Sequence, residues 1–177
     1  MGLSVPGCVI LITDEIYLAL RMDLTEIIPE RLWIGAAPSK NDLSELKRLH
    51  GADLVIMDLT SNPEERNWCR EIGIAYDERT PMLDDNRQPI PLSRLKVAAG
   101  VIGDNVDSGK KVILHCKSGN GRSPTCAAAY LIQSGMYPPE AKNTVSSKRN
   151  VWTGPDANYP ANLEEFGKII EMTRATF

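Results

Sequence analysis

The sequence lacks several features that would assign it to common classes of protein. Its 177 residues carry a formal net charge of −3, which argues against general nucleic-acid binding because such proteins present a basic surface. It has four cysteines. Around Cys116, the most distinctive of them, no second cysteine or histidine stands at zinc-ligand spacing. No internal repeat, low-complexity tract or interdomain linker interrupts the chain. These absences favour one globular domain, and a hydrophobic content of 42% is sufficient for its core.

The N-terminal segment is apolar from Leu3 to Leu20 but does not have the pattern of a targeting sequence. Thr13-Asp14-Glu15 interrupts the apolar run, and no cationic region precedes it. It therefore fits neither a signal peptide nor a membrane span. We expect residues 1–27 to form an extension packed on the domain, without a role that the sequence defines, and residues 28–177 to form the domain.

Apolar periodicity and turn residues predict alternating helices and strands along the chain. Predicted helices cover residues 41–50, 63–72, 92–106, 123–134, 138–148 and 163–173, and predicted strands cover 54–59, 74–76 and 112–115. The strand at 112–115 is an almost continuous apolar run, as is typical of a buried parallel strand. The alternation predicts the α/β class, with a central, mostly parallel sheet flanked by helices.

The most informative stretch lies between the strand at 112–115 and the helix that follows it. It reads His-Cys-Lys-Ser-Gly-Asn-Gly-Arg-Ser-Pro-Thr from His115 to Thr125, with Cys116 six positions before Arg122. The residues six positions after the other three cysteines, Cys8, Cys69 and Cys126, are Asp14, Ala75 and Ile132. Chance is a poor explanation for His, two Gly, Arg and Ser all falling around one cysteine.

A tight loop that leads directly into a helix is suited to binding an oxyanion. Its backbone N–H groups turn inward, and the helix dipole adds partial positive charge at the same point. Gly119 and Gly121 permit the positive φ angles that such a loop needs. Arg122 would stand in the first helical turn, where its planar guanidinium can grip two phosphate oxygens. The loop is not a Walker P-loop or a dinucleotide fingerprint, because the Gly-Lys-Ser/Thr ending and the third glycine are absent.

Cys116 has the surroundings of a reactive thiolate. Helix N-termini and nearby cations lower the pKa of a thiol, and here both Lys117 and Arg122 share the loop with it. We therefore expect a nucleophilic sulfur at neutral pH. His115 can hold the loop by a hydrogen bond to backbone, and Ser123 can donate a hydrogen bond to the sulfur as it leaves.

These residues resemble the cysteine-dependent protein tyrosine phosphatase superfamily, whose loop reads His-Cys-x5-Arg-Ser/Thr. The extension Arg122-Ser123-Pro124-Thr125 and the apolar helix after it resemble the dual-specificity phosphatase branch in particular. Residues 28–35 are similar to the opening strand of that branch, and residues 52–60 to its next core strand. The likeness runs from residue 28 to the C-terminus.

The resemblance implies a metal-free and cofactor-free hydrolysis of phosphate monoesters through a cysteinyl-phosphate. Cys116, Arg122, Ser123 and a general acid would be catalytic. That acid should be an aspartate about thirty residues upstream, and Asp85, 31 positions before Cys116, is our first choice, with Asp84 second. The phosphate would be bound by Lys117, Ser118, Gly119, Asn120, Gly121 and Arg122, with His115 in support.

The substrate class stays open between two alternatives. Ser118 and Ser123-Pro124-Thr125 resemble members that act on proteins, so a dual-specificity protein phosphatase acting on phosphotyrosine and phosphoserine/threonine is the first hypothesis. A lysine directly after the cysteine, as at Lys117, resembles the loop of members that act on phosphoinositides, inositol phosphates or phosphatidylglycerophosphate. One such loop has a second cation, and Asn120 stands at that position here. A catalytically silent phosphate-binding module is a third hypothesis, which the intact Cys116 and Arg122 argue against.

The remaining expectations concern the cellular compartment, the partners, the other cysteines and one loop. Four cysteines, one of which must be reduced, favour the reducing cytoplasm over a disulfide scaffold, and we expect a monomer with no nucleic-acid partner and no membrane span. Some relatives protect the oxidised nucleophile with a disulfide. Cys69 or Cys126 could serve here, but ordinary burial is the preferred interpretation for both. The loop Trp152 to Pro160 is interpreted as a connector, with substrate contact as the alternative.

Overall fold

The computed structural model describes residues 22–81 and 87–176, which contain a central five-stranded sheet. Its strands are β1 (Leu24–Ile28), β2 (Leu32–Gly35), β3 (Leu54–Asp58), β4 (Ala75–Asp77) and β5 (Lys111–His115). The strand order is β1-β2-β5-β3-β4. β1 and β2 form an antiparallel hairpin, and every other neighbouring pair is parallel. The predicted α/β class with a mostly parallel sheet is confirmed.

Six α-helices accompany the sheet in the described residues. They are α1 (Lys40–His50), α2 (Pro63–Ile72), α3 (Leu92–Asp107), α4 (Arg122–Gln133), α5 (Pro138–Lys148) and α6 (Leu163–Ala175). Each begins and ends within two residues of the prediction, because local signals define the ends. α2, for example, begins at Pro63 after the N-cap Asn62 and stops at Gly73, whose φ of 77° ends a helix easily.

Alternating side chains on the central strands divide the core into two layers. On β5, Val112 and Leu114 join the larger apolar cluster with α3, α4 and α6, whereas Ile113 joins the smaller cluster with α1 and α2. On β3, Met57 faces the larger cluster and Ile56 the smaller one. The helices therefore cover both faces of the sheet, as the parallel pairing requires. The same alternation decides which way the residues after β5 point.

The structure corrects the expectation of one strand over residues 28–35. β1 ends at Ile28, and Glu30 adopts a φ of 55° in a turn that Arg31 N–H closes on the Ile28 carbonyl at 3.1 Å. Pro29 favours such a turn, so the chain reverses and β2 begins at Leu32. The predicted boundary between residues 27 and 28 falls inside β1, which begins at Leu24 and belongs to the sheet.

The contact between α5 and α6 provides a test of the packing. A Cβ added at Gly167 would lie 2.3 Å from Cγ of Pro138, a rigid ring at the start of α5. Gly167→Ala should lower the free energy of unfolding by about 1–3 kcal/mol, because overpacking forces a backbone shift. Gly100→Ala is the matched control, since an added Cβ meets nothing within 4 Å on α3 and should be neutral or stabilising. Chemical denaturation of both variants measures the difference, and equal stability would contradict this account.

Candidate active site

The loop between β5 and α4 is pressed closely against the end of β2. Cys116 N–H donates to the Gly35 carbonyl at 3.4 Å, and Ala37 N–H donates to the Lys117 carbonyl at 3.4 Å. Gly119 has a φ of 72°, and a Cβ there would lie 2.4 Å from the carbonyl carbon of Gly35. Glycine at position 119 is therefore required both by conformation and by space.

Gly121 has a different reason to be glycine from the one expected. Its φ is −118°, so the expected positive φ is wrong at this position. A Cβ on Gly121 would instead lie 2.4 Å from Cδ2 of Tyr159 and 3.3 Å from Cγ of Asp156. The glycine lets the loop from 152 to 160 lie directly against the start of α4.

Cys116 is only 2% exposed, yet its environment favours the thiolate. Burial by itself would raise the pKa of the thiol. Hydrogen bonds from the hydroxyl and N–H of Ser123 and from the Gly119 N–H, together with the charge of Arg122, outweigh burial and lower the pKa below its ordinary value. The Cys116 Sγ and Ser123 Oγ atoms lie 3.5 Å apart. The Ser123 hydroxyl and the Arg122 guanidinium, both named from the sequence, thus stabilise the Cys116 thiolate.

The first turn of α4 is fixed by hydrogen bonds at the loop's exit. Arg122 is 6% exposed and donates from Nη1 to the Leu59 carbonyl at 3.4 Å. Thr125 Oγ1 donates to the Gly121 carbonyl at 2.7 Å and accepts from Trp152 Nε1 at 2.9 Å. The helix begins at Arg122, so its dipole points its positive end at the loop.

The loop opens into a pocket with a volume of about 230 Å³. Its wall consists of Arg87, Cys116, Lys117, Ser118, Gly121, Arg122, Pro155, Asp156 and Tyr159. Two predicted phosphate-binding residues stand back from that wall. Gly119 donates its N–H to the Cys116 sulfur, and the Asn120 side chain accepts from Arg149 Nη2 at 3.5 Å. The loop from 152 to 160, interpreted as a connector, supplies part of the pocket wall through Pro155, Asp156 and Tyr159.

Sequence reasoning missed Arg149, which fastens the outer side of the phosphate loop. Its Nε donates to the Gly119 carbonyl at 3.0 Å, and its Nη2 donates to the Ser118 carbonyl at 3.1 Å. The guanidinium also forms an ion pair with Asp23, at 2.8 Å from Nη2. Because the carbonyls are held outward, the N–H groups of the same peptides are free to turn toward the pocket. A cation directly after α5 looks in the sequence like an ordinary C-terminal charge, so only the fold reveals this contact.

The two candidates for the general acid, Asp84 and Asp85, lie outside the described residues. Both therefore stay predictions. Among the described residues on the pocket wall, Asp156 is the one that carries a carboxylate.

The other two described cysteines are buried thiols. Burial, together with the charges of Glu65 and Asp58, raises the pKa of Cys69 to about 12. Burial also raises the pKa of Cys126 well above its ordinary value. Both therefore stay protonated and poorly nucleophilic at neutral pH. The protective disulfide with Cys116 stays a prediction.

Comparison with known proteins agrees with this geometry. Residues 32–169 match the family described as "Dual specificity phosphatase, catalytic domain". The chain therefore belongs to the dual-specificity phosphatase family, which is a family of cysteine-dependent phosphatases. A protein of Invertebrate iridescent virus 6 named "Putative tyrosine phosphatase 123R" is 31% identical over 96 residues, which is 54% of this chain and 67% of the viral protein.

Three further proteins are similar to this chain. Protein phosphatase Slingshot homolog 1 of Homo sapiens is 28% identical over 92% of this chain, but the match spans only 15% of that protein. A crystal structure of PTPMT1 is 26% identical, with a TM-score of 0.69, and covers 87% of this chain and 99% of that one. The phosphatidylglycerophosphate phosphatase PTPMT2 of Arabidopsis thaliana is 30% identical over 60% of this chain and 46% of its own length.

No helix in the described ranges is long and apolar enough to cross a membrane.

The contacts of Arg149 predict a strong dependence of the rate on this side chain. Arg149→Lys keeps the charge but cannot reach two loop carbonyls and Asp23 at once. We expect kcat for a small aryl phosphate to fall about tenfold or more, because the loop amides lose their fixed orientation. Arg48→Lys is the control, since Arg48 lies exposed on α1, where it pairs with Glu45 at 3.1 Å. Equal kcat in the two variants would show that the contacts of Arg149 are dispensable.

Proposed function

We propose that this protein hydrolyses phosphate monoesters on proteins, including phosphotyrosine and phosphoserine/threonine, through a covalent intermediate on Cys116. The observation that carries the proposal is the buried Cys116 sulfur, which receives hydrogen bonds from Ser123 and Gly119 next to the Arg122 charge. A sulfur held as an anion in the wall of a pocket that Arg122 also lines is suited to attack on phosphorus. In contrast, burial raises the pKa of the other two described cysteines, Cys69 and Cys126.

The reaction runs in two steps. The Cys116 sulfur attacks phosphorus, the bond from phosphorus to the ester oxygen breaks, and the acid at Asp85 gives its proton to that oxygen. Arg122 and the loop N–H groups meet the charge that spreads over the equatorial oxygens. Water then attacks the cysteinyl-phosphate and gives a proton to the Asp85 carboxylate. The sulfur–phosphorus bond breaks, and the hydrogen bond from Ser123 stabilises the thiolate that leaves.

The mixed charge of the pocket rim favours a single phosphate on a polypeptide. Arg87 and Lys117 supply cations to the pocket wall, and Asp156 supplies a carboxylate beside Pro155 and Tyr159. A carboxylate so close to the loop repels further phosphate groups on the same substrate. A peptide, with its varied side chains, tolerates such a rim better than a polyphosphorylated ring does. The similarity to Slingshot over most of this chain points the same way.

A lipid or inositol monophosphate is the second candidate. It is favoured by Lys117, which is exposed directly after the cysteine, and by Arg87 on the same wall. The sequence and structural similarity to phosphatidylglycerophosphate phosphatases and PTPMT1 supports it as well.

A substrate panel separates the two candidates. We expect the purified chain to turn over p-nitrophenyl phosphate and phosphopeptides with a higher kcat/KM than inositol phosphates or phosphatidylglycerophosphate in micelles. Cys116→Ser should abolish all of these activities, because an alcohol is not ionised at neutral pH. Absence of turnover in the wild type would favour a silent phosphate-binding module instead.

Lys117→Ala refines the same panel. If proteins are the substrates, its effect on phosphopeptides should resemble its effect on p-nitrophenyl phosphate. A selective loss on the lipid substrate, together with a higher wild-type kcat/KM for that lipid, would overturn the protein assignment in favour of the second candidate.

The general acid can be assigned by comparing neighbouring carboxylates. Asp85→Ala should lose about 10²-fold or more in kcat for substrates with a poor leaving group, because the ester oxygen must then depart without a proton. Asp84→Ala is the matched control and should lose far less. The deficit of Asp85→Ala should shrink for p-nitrophenyl phosphate, whose leaving group needs little protonation. The reverse order of the two variants would assign the role to Asp84.

Two expectations about the setting complete the proposal. A thiolate nucleophile needs a reducing compartment, so we assign the protein to the cytoplasm. We also propose a monomeric working state, which gel filtration with light scattering checks.

A further inference from the structure

Behind the catalytic loop, on the opposite face of the sheet from Cys116, three buried ionisable side chains meet. His115, Glu65 and Asp58 are at most 2% exposed. His115 follows the alternation of β5 and faces α2, as Ile113 does, whereas Cys116 belongs to the other core layer. Nothing in the two-step reaction uses Glu65 or Asp58. Buried carboxylates without a task are rare, because burying a charge is costly unless it is paired.

The hydrogen bonds of His115 define where its protons lie. Nδ1 is 3.3 Å from the Cys116 carbonyl oxygen, and Nε2 is 2.7 Å from Oε1 of Glu65. A carbonyl only accepts, so Nδ1 must carry a proton. A second proton then lies between Nε2 and Glu65, and the pair is either an imidazolium with a carboxylate or a neutral ring with a carboxylic acid.

Neighbouring charges favour the imidazolium. Burial by itself would lower the pKa of His115, but the hydrogen bond and charge of Glu65, followed by the charge of Asp58, raise it above the ordinary value. Asp58 is itself ionised, because His115, Thr60, Asn62 and Tyr76 together outweigh its burial and lower its pKa.

The other titratable groups around this cluster are neutral thiols, a phenol and cations. On α2, Cys69 is a protonated thiol with a pKa of about 12. On β4, burial and Asp58 raise the pKa of Tyr76, so it stays a phenol, and Arg66 lies over its ring at 5.9 Å. On the Cys116 side stand Arg122 and the protonated Cys126, with Lys117 exposed beyond them.

Both oxygens of Asp58 are already occupied by hydrogen bonds, so Glu65 is the carboxylate that pairs with His115. Oδ1 of Asp58 accepts from Thr60 N–H and Oγ1, both at 2.6 Å. Oδ2 accepts from Asn62 N–H at 2.6 Å and Tyr76 Oη at 2.7 Å. Asp58 lies 3.9 Å from His115 Nε2, beyond hydrogen-bond distance. A metal ion at this cluster would have to displace these bonds and separate Glu65 from His115, so the three side chains are better described as a proton-holding pair with a fixed counter-charge.

We propose that Glu65 is a positioning residue for the nucleophile: its buried carboxylate holds His115 as an imidazolium that donates to the Cys116 carbonyl, and this cation helps to keep the Cys116 sulfur anionic. The proposal rests on Cys116 being the nucleophile of the proposed function. The backbone on both sides of the sulfur is then fixed. The His115 carbonyl accepts from Leu59 N–H at 3.0 Å, and the Cys116 carbonyl accepts from the imidazolium.

Glu65→Gln tests the proposal with little change of shape. The glutamine amide can donate to a neutral Nε2, so the ring keeps a hydrogen bond but loses its reason to be charged. We expect the pH at which kcat/KM rises to move upward, and alkylation of Cys116 by iodoacetamide at pH 6 to slow about threefold or more. kcat should fall more than KM changes. Glu64→Gln, an exposed neighbour on α2, is the control and should leave all of these unchanged.

Nuclear magnetic resonance of the imidazole rings gives a direct readout. The chain has two histidines, and His50, whose ring lies 5.0 Å from that of Trp33, serves as an internal reference. His115 should be doubly protonated at pH 7 in the wild type and neutral in Glu65→Gln. A neutral His115 in the wild type would overturn the proposal even if the variant failed to fold. An unchanged alkylation profile in a folded Glu65→Gln would overturn it as well.

The alkylation and nuclear magnetic resonance readouts do not depend on turnover. A wild type that is alkylated rapidly at pH 6 but hydrolyses no monoester would contradict the proposed function while leaving the role of Glu65 intact. Normal hydrolysis in Glu65→Gln, with unchanged pH dependence, would contradict only the role of Glu65.

Discussion

Everything around the site depends on keeping a negative sulfur in a place that is almost closed to water. Cys116 is 2% exposed, and burying an ionised group is unfavourable by several kcal/mol unless donors replace the lost water. The structure supplies those donors from the loop and the first turn of α4, through Gly119 and Ser123. Hydrogen bonds to a charged group are each worth about 1.5–3 kcal/mol. A few of them, with the Arg122 charge, are of the right size to offset the burial.

Those donors work only if the loop cannot relax, and the rest of the fold prevents it from relaxing. β2 lies against one side, where Gly35 leaves no room for a Cβ at position 119. Arg149 holds two carbonyls on the outer side, and Trp152 fastens the first turn of α4 through Thr125. The same amides would otherwise rotate toward solvent, and the sulfur would take up a proton.

Local features of the site could be predicted from the sequence, and the contacts that fasten it could not. Cys116, Arg122 and Ser123 stand within eight consecutive residues, so their proximity follows from a strand, a loop and a helix start. Glu65 and Arg149 lie 50 residues before His115 and 30 residues after Gly119. Their contacts depend on the strand order β2-β5-β3, which brings α2 beneath the loop. The turn at Glu30 was missed because a positive φ at a non-glycine residue leaves little trace in composition.

The alternation of side chains along β5 also separates the two sides of the catalytic loop. Because consecutive side chains point to opposite faces, a charge-holding partner for His115 and a substrate for Cys116 approach from opposite sides of the sheet. The proton pair is therefore shielded from whatever binds in the pocket. Changes on the rim, at Lys117 or Asp156, can alter which monoester enters without disturbing the groups that keep the sulfur charged. In this proposal the groups that keep the sulfur charged lie on the other face of the sheet, whereas the residues on the pocket rim contact the substrate.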